Sequence, residues 1–78
     1  MKIYLLTQNE NTGYDTYDSC VVCAESPEDA VTITPGYNIF GKPWSSWASS
    51  KDNVKCQEIG EANEGQIRGV ILSSFNAG

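Results

Sequence analysis

The chain has 78 residues, 40% of them hydrophobic and 19% charged, with ten acidic side chains against five basic ones, no histidine and a net charge of −5. Such a length supports one domain with one thin core, burying only about 60–65% of its unfolded surface. The apolar fraction argues against disorder, no run approaches the roughly 18 apolar residues of a membrane span, and Lys2, Lys42, Lys51, Lys55 and Arg68 are too few and scattered to track a phosphate backbone.

Residues 2–8 read as a first strand. Ile3, Leu5 and Thr7 point one way, Tyr4 and Leu6 the other. The apolar part is too short for a secretory signal, so a cytoplasmic location is expected. A polar segment around Gly13 leads through Tyr14-Asp15-Thr16-Tyr17-Asp18 to a second strand at residues 19–25. There Val21 and Cys23 share one face, and Cys20, Val22 and Ala24 the other. Both strands are apolar on both faces, which places them inside a sheet with something covering each side.

Ser26-Pro27-Glu28-Asp29 is a helix start. The Ser26 hydroxyl can accept from the Asp29 N–H, Pro27 suits the first helical position, and the two acids favour the positive end of the helix dipole. Pro35-Gly36 predicts a stop after two turns. Residues 37–50 fit neither period. They carry Tyr37, Phe40, Trp44 and Trp47 among glycines and serines, a candidate cover for the other sheet face or an edge. Strands follow at 53–59 and 68–75, joined by a turn-rich link. The assembled expectation is one domain over residues 1–78: an α+β fold, ββαββ, with a mostly antiparallel four-stranded sheet and one short helix on one face.

Cys20-Val21-Val22-Cys23 has the spacing of redox and zinc motifs. In a strand, however, residues three apart face opposite ways, so these sulfurs cannot share a metal. With Cys56 the count is odd, which argues against a disulfide framework. The three read as small buried hydrophobes. No histidine is available as a general base, and no glycine spacing fits a phosphate-cradling loop. No enzyme activity, cofactor or metal is expected. Asp15 and Asp18 as a metal-dependent centre is the weakest of the readings, because their spacing is not diagnostic.

Two Tyr-Asp pairs, Tyr14-Asp15 and Tyr17-Asp18, instead offer a recognition surface, weighed against a solvated loop packed on a sheet edge. Trp44 and Trp47 add either core rings or binding anchors. These six residues are the candidate partner-binding set.

The opening Met1-Lys2-Ile3-Tyr4-Leu5-Leu6-Thr7-Gln8, the Gly13-Tyr14-Asp15-Thr16-Tyr17-Asp18-Ser19 segment, Ala24-Glu25-Ser26 and the ending from Gly69 to Gly78 resemble a family of small phage, prophage and bacterial proteins with no established activity. The resemblance implies that Ala or Val often stands where this chain has Cys20 and Cys23, in keeping with a packing role. It carries over no functional residue. It implies a setting in which small acidic proteins inhibit host defence, as anti-CRISPR proteins do, by analogy of size and charge. The expected function is therefore docking, without catalysis, on a larger protein partner with a basic nucleic-acid-binding face. The alternative is a housekeeping or regulatory module that binds a small ligand or its own copy.

Overall fold

The computed structural model of the protein describes residues 1–35 and 46–76. Its strands are β1 (Lys2–Thr7), β2 (Thr16–Ala24), β3 (Lys55–Glu61) and β4 (Gly69–Asn76), all antiparallel in one sheet of order β3-β1-β2-β4. A short helix, α1 (Pro27–Ala30), and a 3-10 turn at Lys51–Asn53 accompany them. The α+β arrangement matches the expectation. The two strands that are apolar on both faces, β1 and β2, occupy the middle.

Tyr4 lies opposite Val22 and Leu6 opposite Cys20, and directly opposed residues share a face. With Ala24 they form the core side of the sheet. Ala30, Ile33, Trp47, Ala48 and Val54 close over it in one buried cluster. Burying a side chain such as Leu6 or Val22 contributes about 1.5–3 kcal/mol. The second face carries Ile3, Leu5 and Val21, which are half-buried, and Cys23, which is buried with the Met1 sulfur 3.8 Å away. The described part of the aromatic segment, Trp47, thus joins the helix on its own side of the sheet rather than covering the other.

Ser26 caps α1 as its sequence predicts: its backbone is extended and its Oγ accepts from the Asp29 N–H at 3.1 Å. The helix is nevertheless one turn long, not two. Val31, Thr32, Ile33 and Thr34 are all β-branched and crowd a helical turn. Thr32 turns its hydroxyl onto the Asp29 carbonyl at 2.6 Å, and Thr34 is held off the helical region by Pro35. The stop comes from this run, ahead of Pro35-Gly36.

The connection from β3 to β4 is not a hairpin. The two strands lie on opposite edges, so the link crosses the ends of β1 and β2, a span of roughly 14 Å at the usual strand spacing. The Ala62 N–H donates to the Met1 carbonyl at 3.1 Å, and the Gln66 N–H closes a turn on Asn63. Gly65, at φ +89°, supplies the left-handed backbone that turn needs. Arg68 then anchors the link to the helix: Nε and Nη2 grip both oxygens of Asp29 at 2.8–3.1 Å.

Candidate interaction surface

The β1–β2 connection is braced from inside. The buried Gln8 amide donates to the Asn11 and Tyr17 carbonyls, both at 2.7 Å, and accepts from the Glu10 and Asn11 N–H groups at 2.8 and 2.9 Å. Its whole hydrogen-bonding capacity is spent on shaping the loop. Glu10 accepts from the Ser49 N–H and from Asn53 Nδ2, and Asn11 donates to the Trp47 carbonyl. Ser49 chiefly, with Asn53, holds the Glu10 carboxyl below its ordinary range. The base of the loop is therefore tied to the chain around Trp47.

The tip is pinned as well. Thr16 is buried and donates from Oγ1 to the Gly13 carbonyl at 2.6 Å. Asp15 adopts the left-handed conformation, φ 58°, which aspartate tolerates better than most residues. Its N–H donates to the Asn76 carbonyl at 2.6 Å, tying the tip to the end of β4. Between these fixings Tyr14 projects outward, 80% exposed.

Four of the six candidate residues meet at this corner. Tyr14 and Asp15 are exposed at the tip. Tyr17 is half-buried, its ring 4.8 Å from that of Phe75 and its N–H on the Ser46 carbonyl at 2.9 Å. Asp18 is half-buried and accepts from Asn76 Nδ2 at 2.7 Å. Trp47 is 0% exposed and belongs to the core, so it offers no surface to a partner. Trp44 lies outside the described residues. Sequence reasoning did not name Phe75 and Asn76, which complete the corner. They stand 58 residues from their partners, and no local signal links them.

The two sheet edges differ in character. β3 carries Lys55, Glu58 and Glu61, charges that discourage strand pairing. β4 carries none between Gly69 and Asn76, and leaves Val70 (42%), Leu72 (68%) and Phe75 (47%) exposed. Of the ten carboxylates, Glu10, Asp18, Asp29 and Glu61 are hydrogen-bonded within the chain. Asp15, Glu25, Glu28, Asp52, Glu58 and Glu64 are exposed, on separate stretches from the hairpin tip to the β3–β4 link.

The thiols fit packing better than chemistry. Cys20 faces the core opposite Leu6, while Cys23 faces away opposite Ile3. Burial pushes the Cys20 thiol up to about 12 and raises that of Cys56, so neither supplies a thiolate at neutral pH. Among the described residues, no helix is long and apolar enough to cross a membrane. Comparison with protein-family models, with curated proteins and with solved structures finds no match to this chain.

Proposed function

We propose that the protein is a non-enzymatic binding protein that docks on a larger protein through the Tyr14–Asp15 corner. The observation that carries this reading is an exposed aromatic ring on a loop fixed at both ends. An exposed tyrosine held in place loses little freedom on binding, and such rings make effective anchors. Asp15 beside it, and a net charge of −5, favour a partner with a basic face. The concrete version is a phage-encoded inhibitor seated on the basic channel of a nucleic-acid-handling defence complex. The spread of the exposed carboxylates over separate stretches favours docking at one corner over imitation of a continuous phosphate run.

The test is a photo-crosslinking amino acid placed at position 14, with position 63 in the distant link as control, in lysate of the native host. A protein captured from position 14 alone is then purified and its kinetics measured. Tyr14→Ala should raise the off-rate with a loss of about 2 kcal/mol. Asp15→Asn, which keeps the left-handed backbone, should slow association at low salt. Equal binding by both variants would place the anchor elsewhere.

A further inference from the structure

We infer that Met1 is an oxidation-sensitive cover for Cys23: when the Met1 thioether takes an oxygen atom from a peroxide, the Cys23 thiol is uncovered for covalent modification. The pair sits at the Met1 end of the central strands, away from the end that carries Tyr14, and the inference does not depend on the corner reading. Strand alternation puts Met1 on the same face as Ile3. Cys23 pairs with Ile3, so Met1 is its diagonal neighbour, within reach of a long side chain. The Cys23 thiol donates to the Met1 sulfur at 3.8 Å. On its other flank Cys23 pairs with Gly69, which has no side chain to lay over it. The Met1 backbone is held in place: its carbonyl accepts from the Ala62 N–H at 3.1 Å, and the neighbouring Lys2 ammonium donates to Glu61 at 2.8 Å.

The two sulfurs differ in access. Met1 is 44% exposed and Cys23 is 0% exposed, so an oxidant arriving from solvent meets the thioether first. The thioether attacks one peroxide oxygen and the O–O bond breaks. Methionine is oxidised to the sulfoxide, and hydrogen peroxide is reduced to water. The sulfoxide puts a polar group where an apolar, polarisable one had packed. Left against Cys23, its oxygen would exchange water for a thiol, which is a weak donor, so the side chain turns to solvent and the thiol loses its cover.

Neither of the other cysteines can pair with the uncovered thiol. Cys20 and Cys56 both lie opposite Leu6, on the core side of the sheet, while Cys23 lies on the other side. No internal disulfide closes over the site, and Cys23 is left to reagents from outside the chain.

Met1 is the only methionine in the chain, so growth on norleucine replaces this one thioether by a methylene of similar shape that peroxide does not oxidise. Hydrogen peroxide at about pH 5, where thiols stay protonated, converts Met1 to the sulfoxide. Iodoacetamide at neutral pH, followed by peptide mass spectrometry, then reads each cysteine separately. Oxidation of Met1 should speed alkylation of Cys23 about tenfold or more and leave Cys20 at its former rate. In the norleucine protein, peroxide should change neither rate. An unchanged Cys23 rate at full conversion to the sulfoxide overturns the inference. Equal acceleration of Cys20 marks opening of the whole core and also overturns it, as does the same acceleration of Cys23 in the norleucine protein. Each of these outcomes leaves the corner reading standing.

Discussion

Ser26 and Asp29 work as a pair at the start of α1. Replacing Ser26 by alanine leaves the Asp29 N–H without its acceptor and should cost about 0.5–2 kcal/mol in an unfolding titration. Asp29 also receives Arg68 and the Glu25 N–H, and these hold its carboxyl at about 2, below its ordinary 3.8. A carboxyl lowered by folding stabilises the fold fully above its ordinary value and loses that contribution as pH falls toward the lowered one. The urea midpoint should therefore fall between about pH 4 and pH 2, and Arg68→Ala should flatten that part of the profile. The Ser26 cap was legible in the sequence because its partners are three residues apart. The Arg68 clasp was not, because 39 residues separate the ion pair and only the chain's path across the sheet brings them together. Tyr14 and Asp15 were recognisable as a candidate site from composition. Their bracing rests on Asn76 and Gln8, whose roles depend on register.

The apolar pattern of β1 and β2 was a good guide to their central place, although among the described residues the buried cluster closes over one face only and Ile3, Leu5 and Val21 on the other stay half-buried. Apolar pattern says less about the edges: the strand expected at residues 68–75 carries the apolar run Val70-Ile71-Leu72, and that run lies exposed at the rim. Periodicity reports which residues prefer cover without saying whether a neighbour supplies it. The alternation of Cys20 and Cys23 was readable for the opposite reason, since strand geometry alone sets it. Thiol labelling checks that placement. Half-buried Cys56 should react first, whereas Cys20 and Cys23 should react only at the rate of opening. Trp47 was ambiguous because a ring's depth depends on what closes over it. Lying at the centre of the core cluster, it should cost about 3–5 kcal/mol on replacement by alanine. That is a large share of the ~5–15 kcal/mol available to a small domain. Loss of its fluorescence shift and of cooperative unfolding in Trp47→Ala would check this.

For the molecule as a whole, charge and topology act together. The free carboxylates are spread over the surface, which favours solubility and gives any basic partner a diffuse attraction rather than a contoured one. The chain was expected to be mostly antiparallel, and it is. What local sequence could not show is that β3 and β4 flank the same central hairpin from opposite sides, since a seven-residue link is compatible with either arrangement. This crossing link has a consequence for how the protein is made. The middle of the sheet is synthesised first, and both of its borders come from the second half of the chain. A nascent chain that ends before Lys55 holds a two-stranded ribbon with both rims bare, a structure of marginal stability in water. Cooperative structure therefore waits at least for β3, whose arrival makes the sheet three-stranded over the buried cluster. Hydrogen exchange on the finished protein should record the same hierarchy: the slowest amides in β1 and β2, faster exchange in β3, and the fastest strand amides on the outer side of β4.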